Sequence, residues 1–314
     1  MMTSLLKRGG PYASTVAQAG GLPSNIPDTP ICAVFICLYI AFAATNMTIL
    51  QKNNRRNHKF ILSGLLFGFC MARITTLVLR IAWANRQDNV RIGIAASILV
   101  NAGVLLVYII NLILAQRILR AKQPHIGWHP IMRMGSKFFY WLIPGALIMV
   151  IVGTVVSIYT LDPVTRMDCR DVQLAAITYL LVFTCLPLLH IIPAVLLPRH
   201  KHEETFGQGS MRSKVIIITL SSCLCILIAG FKAGSLWSPP RPVSNPAWYH
   251  EKPAFWVFNF VLEILILSLL TLNRIDKRFH IPNGSTKHGD YSRMTSKESE
   301  PEEQEAPAEP KPLV

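Results

Sequence analysis

The chain has 314 residues and a formal net charge of +14, with 51% hydrophobic but only 15% charged residues, against about 25% charged in a typical globular domain. The charge is concentrated between long uncharged stretches, which excludes an ordinary soluble fold. A basic excess spread over short connections between apolar stretches suits anionic lipid, so membrane lipids are the expected partners and nucleic acid is not.

Residues 1–29 are rich in Gly, Pro and Ser and read as a flexible N-terminal tail. Lys7 and Arg8 are not followed by the apolar run of a signal peptide. Seven apolar stretches come next, at about 31–50, 60–83, 92–116, 138–160, 172–197, 215–237 and 254–273. Each is close to the roughly 20 residues a helix needs to cross a hydrocarbon core. Spanning strands need only about 9–11 alternating residues. The sequence therefore predicts an all-α integral membrane bundle of seven transmembrane helices, forming one domain over 30–274. Residues 275–314 hold no apolar run and end acidic and Pro-rich, which predicts a disordered cytosolic tail. Ser292, Thr295, Ser296 and Ser299 are candidate phosphorylation sites in it.

Orientation follows from the basic residues of the short loops. The first, third and fifth loops hold thirteen Lys and Arg, from Lys52 to Lys214; the second, fourth and sixth hold six. This predicts an N-terminus outside or in a lumen and a cytosolic C-terminus. The plasma membrane is the expected location, with another secretory-pathway membrane as the alternative. Six of the seven cysteines fall in spans and Cys169 in an outer loop. Unbridged small hydrophobes are favoured over a Cys32–Cys169 disulfide.

Arg73, Arg80, Lys232 and Glu263 are the charges inside the spans. A charge at the bilayer centre costs roughly 2.5–3.5 kcal/mol on insertion scales and is normally paired or lines a cavity. At 1.5 Å per residue, Arg73, Glu263 and Asn101 all lie about 14–15 Å below the outer ends of their spans. This predicts an intramembrane polar core: an Arg73–Glu263 ion pair, Asn101 as a hydrogen-bonding neighbour, and Asn259 one turn from Glu263 on the same face. Arg80 and Lys232 are shallower. One reading has them snorkelling to the headgroups; the other makes them a cationic rim over an outward pocket, suited to an anionic ligand from the outer side. Asp162, Asp168 and Asp171 of the fourth loop are rival partners for them.

Residues for catalysis are lacking. His190 is the one histidine in a span, too few for paired haem axial ligands or a clustered zinc site. The seventh span has no lysine for a Schiff base, and no P-loop or Gly-rich nucleotide fingerprint is present. His125 and His129 form a weak metal signal, broken by Gly127 and Pro130. The expectation is no enzyme, no cofactor and no metal.

The stretches HKFILSGLLFGFCMARITTLVLRIAW, LILAQRILRA, YTLDPVTRMDCRDVQL, PAWYHEKPAFWVFNFVLEILI and RFHIPNGSTKHGDYS together resemble a filamentous-fungal family of multi-pass membrane proteins of unknown function. The resemblance runs from about Pro27 to Ser292 and implies a fungal source and a membrane location. The topology is also similar to G-protein-coupled receptor-like and fungal lipid-exporter-like proteins. Against the receptor pattern, Gln116-Arg117-Ile118 replaces the acidic-Arg-aromatic triplet and span seven lacks Asn-Pro-x-x-Tyr. Three functions are open as expectations. A receptor-like sensor of an outer ligand, with a cytosolic partner at the basic loops or tail, is favoured over a transporter or lipid-handling protein and over a structural scaffold.

Overall fold

The computed structural model describes residues 10–12, 14, 16–56, 58–198, 203–285 and 287–292. Seven helices are long and apolar enough to cross a membrane: α1 Asp28–Arg55, α2 Leu62–Asn85, α3 Val90–Lys122, α4 Pro130–Tyr159, α5 Pro163–Leu196, α6 Met211–Trp237 and α7 Lys252–Leu272. Among the described residues there is no β-strand; a single isolated bridge joins Val16 to Pro242. Most helices overrun the predicted spans, because hydropathy registers only the lipid-immersed part while backbone hydrogen bonding continues into the interface. The stretch read as a fourth loop is instead the start of α5. Asp162 caps it, accepting from the amides of Val164 (3.3 Å) and Thr165 (3.1 Å), and Pro163 opens the first turn. Cys169 accordingly sits on a helix, and all seven cysteines are free.

The connections alternate between two ends of the bundle. The entry face is where the chain enters α1; the exit face is where it leaves α7. α3 is the hub, packed against α2, α4, α5 and α6, while α7 packs against α6 and α1. Leu66, Phe69, Leu77, Ile110, Leu112 and Phe260 are fully buried between these helices. α1 and α4 are peripheral and turn apolar side chains outward, including Val34, Ile40, Phe138 and Trp141. Such an exterior is stable only in lipid. α7 is interrupted by a π-helical turn at Val257–Val261. One extra residue is looped into the helix there, as a π-bulge does.

Composition suggests a flexible N-terminal tail, but its described part is laid across the entry face. The amide of Tyr12 donates to the Ile158 carbonyl (3.0 Å), that of Ala17 to Arg241 (2.8 Å) and that of Gly20 to His250 (2.9 Å). Gly20 has φ +77°, and a Cβ there would stand 2.5 Å from the Phe255 ring. Only glycine takes this path without strain. At the exit face the predicted tail is ordered at least as far as Ser292. The turn Ile275–Arg278 packs beneath α7, and Phe279 and Tyr291 are buried. Thr295, Ser296 and Ser299 lie outside the described residues.

Along the α1–α7 seam, polar contacts recur from face to face. The indole N–H of Trp256 donates to Asp28 (3.2 Å), the Tyr39 hydroxyl to Glu263 (3.3 Å), the Asn46 amide to Thr271 (3.1 Å) and the Asn53 amide to Asp276 (3.4 Å). Both helices run in the same direction; steps of seven join Tyr39, Asn46 and Asn53 on α1 and Trp256 and Glu263 on α7, which keeps those residues on one face, and Asp276 extends the series from the turn after α7. Asp276 is outside the spans. Burial raises its pKa, but the Arg274 guanidinium (2.9 Å) and Asn53 outweigh this and hold it below the usual carboxylate value.

Thr271→Val should cost about 0.6 kcal/mol, the average for an interhelical hydrogen bond in a membrane, because Asn46 keeps its bond to the Phe42 carbonyl (2.9 Å). Chemical unfolding in micelles measures it. A second expectation concerns His280, whose pKa is lowered from 6.5 by burial, by the His58 ring with its centroid 4.5 Å away and by Arg117, against a smaller raising effect of Asp276. The folded state thus favours the neutral ring. Its contribution is complete above about pH 6.5 and is lost as pH falls below that value. The melting temperature should drop more steeply on acidification in the wild type than in His280→Asn.

Candidate functional site

The centre of the bundle is built around Arg73. Its guanidinium meets Glu263 side by side, Nε donating to Oε2 at 2.5 Å and Nη2 to Oε1. Both side chains are fully buried. Nη1 donates to the α3 carbonyls of Leu99 (3.2 Å) and Val100 (3.0 Å), and Tyr39 adds its hydroxyl to Glu263 Oε2. The rings of Phe69 and Phe260 flank the guanidinium at 5.5 and 5.8 Å. Gly103 leaves the space it needs: a Cβ there would lie 3.2 Å from Cζ. With no water to solvate either charge, each N–H and carboxylate oxygen must be met by protein. α1, α2, α3 and α7 all contribute to that shell.

Lys232 joins this centre from α6. Its Nζ donates to the Val100 carbonyl at 3.2 Å, the oxygen that also takes Arg73. It therefore points into the bundle and neither snorkels outward nor lines an open rim. Its stem is long enough to reach α3, and the carbonyl offers an acceptor that lipid does not. Two cations thus face one carboxylate. Asn259 is buried, but its amide goes to the Phe255 carbonyl in its own helix (3.1 Å). Asn101 is half-buried and donates to Ser97 (3.2 Å) rather than to the pair. An asparagine in a helix can satisfy itself on the preceding turn. The main-chain carbonyls of Leu99 and Val100 fill the place assigned to Asn101.

Arg80, about two turns along from Arg73 on the same face of α2, is 5% exposed and forms a second cluster at the entry face. Its Nη2 donates to the Gly20 carbonyl (3.0 Å) and stands 3.7 Å from Asp28 Oδ1. The rings of Phe255 and Trp256 lie 4.2 and 5.4 Å from its Cζ. The snorkelling and open-rim readings both fail here, because the N-terminal segment closes over the guanidinium. Asp28 is the organiser. At 1% exposed it takes the Ser24 amide (2.8 Å), the Trp256 indole and the Lys252 ammonium (2.8 Å). The rival acids do not reach this cluster: Asp162, Asp168 and Asp171 lie on the outer turns leading into and along α5. Sequence reasoning misses Asp28 because it precedes the first apolar stretch. The signal for it is the lone acid immediately before that stretch.

At the exit face, His125, His129 and His288 line a shallow cavity of about 400 Å³ with Trp128. His129 Nδ1 is used to cap α4, accepting from Ile131 (3.3 Å). Among the described residues no group of three or more His, Cys, Asp or Glu is placed to hold a metal ion.

Fold and charge placement together define an all-helical integral membrane protein with an ion pair in the middle of its bundle. Residues 207–280 match a family described as a protein of unknown function (DUF3112). No curated protein and no solved structure matches the chain. The matched stretch carries α6, α7, Lys232, Asn259 and Glu263, but not Arg73.

If the pair is what fixes α2 against α7, Arg73→Met or Glu263→Gln alone should cost about 3–5 kcal/mol, since each strands a buried partner. Arg73→Met combined with Glu263→Met should recover most of that loss. Unfolding midpoints in micelles, with yield of monodisperse protein, read both outcomes.

Proposed function

We propose that the protein is a receptor-like sensor of an anionic ligand arriving at the entry face. The observation that carries this reading is the stacking of two charged clusters on the same pair of helices. Arg80 and Arg73 share one face of α2; Trp256 and Glu263 belong to α7. Above them the N-terminal segment is held by Arg80, Asp28 and Lys252. An anion that competes with Asp28 for these two cations frees the segment and alters how α2 meets α7 two turns below. The basic connections at the opposite end support an outside N-terminus and a cytosolic exit face, where a partner reads the change. The seven-helix topology, similar to that of receptor-like proteins, fits the same class. No catalytic step belongs to this reading.

A transporter is the second reading, favoured by Lys232 and Arg73 sharing the Val100 carbonyl beside one carboxylate. An excess cation at mid-membrane is a feature of ion pathways. The lipid-exporter-like topology belongs with it.

Asp28→Asn separates the two. It weakens the hold on the N-terminal segment while leaving the centre intact. For a sensor, the variant should change transcription in the source cells as strongly as ligand does, with no change in lipid asymmetry. Its protein in liposomes should show no flux of phosphate or chloride. Flux of either anion that is abolished by Lys232→Met would overturn the sensor reading in favour of transport.

A further inference from the structure

The chain beyond α7 laces together two exit-face connections and the exit end of α3. The Lys59 amide donates to Asn283 Oδ1 (3.2 Å), Arg117 Nη1 to the Phe279 carbonyl (2.6 Å) and the Gln208 amide to the Lys277 carbonyl (3.0 Å). Gly207, at φ +55°, passes so close that a Cβ would stand 2.2 Å from the Arg278 carbonyl oxygen. Past Asn283 the chain is held in another way.

Glu204 is 4% exposed, and its own amide is fixed to the Ala121 carbonyl at the end of α3 (2.9 Å). Its two oxygens are each taken by a backbone amide of the last described turn, Oε1 by Gly289 (2.8 Å) and Oε2 by Tyr291 (2.9 Å). The His288 ring nitrogen is 3.8 Å from Oε1. The Tyr291 ring, 2% exposed, inserts between Phe206 and Trp128, each at 5.7 Å between centroids. A carboxylate that grips two main-chain amides reads backbone, not side-chain identity. The aromatic slot beside it reads one ring. Lys287, His288 and Gly289 are exposed, so the burial of the segment is concentrated at its Tyr291 end.

We propose that the exit face carries a peptide-docking cleft built from Glu204, Phe206 and Trp128, which residues 287–292 of this chain occupy in cis. Another protein docks there by the same chemistry: a tight turn, like that of Lys287–Tyr291 with Gly289 at φ +90°, offering two backbone N–H groups to Glu204 and an aromatic ring to the slot. The cis segment is the resting occupant because its tether gives it an effective concentration in the millimolar range. A partner therefore enters once that anchor is weakened. The cleft is independent of what binds at the entry face.

The test uses the full chain in micelles. Hydrogen exchange should show residues 287–292 protected in the wild type. Glu204→Ala should lose at least tenfold of that protection, with α1–α7 unchanged. A labelled peptide of the sequence Lys287–Ser292 should bind Tyr291→Ala at least tenfold more tightly than wild type. It should not bind Tyr291→Ala combined with Glu204→Ala. Equal binding to wild type and Tyr291→Ala, or no saturable binding to either, overturns the cleft. So does loss of protection across the spans in Glu204→Ala, which would make the segment part of the bundle's own packing. If Tyr291→Ala does not fold, the exchange comparison on Glu204→Ala decides alone.

Discussion

A guanidinium and a carboxylate side by side in the middle of a membrane have no water to return to. Everything around Arg73 and Glu263 is shaped by that. Four hydrogen bonds engage the guanidinium, two to the carboxylate and two to α3 carbonyls. Moving α2, α3 or α7 alone would strand a charge or a carbonyl. Coulomb attraction is strong in so poor a dielectric, but desolvating both ions offsets much of it. The pair is therefore weak evidence for stability. What it supplies is uniqueness: other packings of these apolar helices would bury similar area, and few would satisfy this arginine.

The same constraint separates the two clusters on α2. At the centre, the acid comes from the neighbouring helix and the site is closed on all sides. At the entry face, the acid comes from the chain's own approach to the membrane, and Gly20 and Ser24 complete the cage. One cluster fixes helices to each other; the other fixes a lid to the helices. Neither shares a hydrogen bond with the other, so the two are coupled only through the helices that carry them.

Much of the bundle is legible in the sequence because hydropathy and helix rise are one-dimensional quantities. Seven spans can be counted, and counting residues from their ends puts Arg73 and Glu263 at one depth. Rotation about each helix is harder to read. Asn101 has the right depth, yet its amide turns to Ser97, and nothing in the sequence chooses between a neighbour and the preceding turn. The carbonyls that take its place belong to residues with apolar side chains. Lys232 is misplaced when depth is judged from its Cα, because its long stem carries the ammonium inward to Val100. Asp28 and Tyr291 lie in stretches whose composition looks unstructured. Their burial depends on partners 228 residues away for Asp28, at Trp256, and 87 residues away for Tyr291, at Glu204, which no local pattern encodes.

The π-helical turn of α7 lies between these two clusters, after Trp256 and before Glu263. The wide turn takes up one extra residue, so the helix on either side keeps the phase it would have in a regular α-helix one residue shorter. Removing a single residue from Val257–Val261 would close the bulge and leave Phe255 and Trp256 on Arg80 and Glu263 on Arg73. The same deletion in a helix without a bulge would swing one cluster about 100° away from the other. The bulge is a reserve of one residue: chain length can change at that turn while the mouth and the centre of the bundle stay in register.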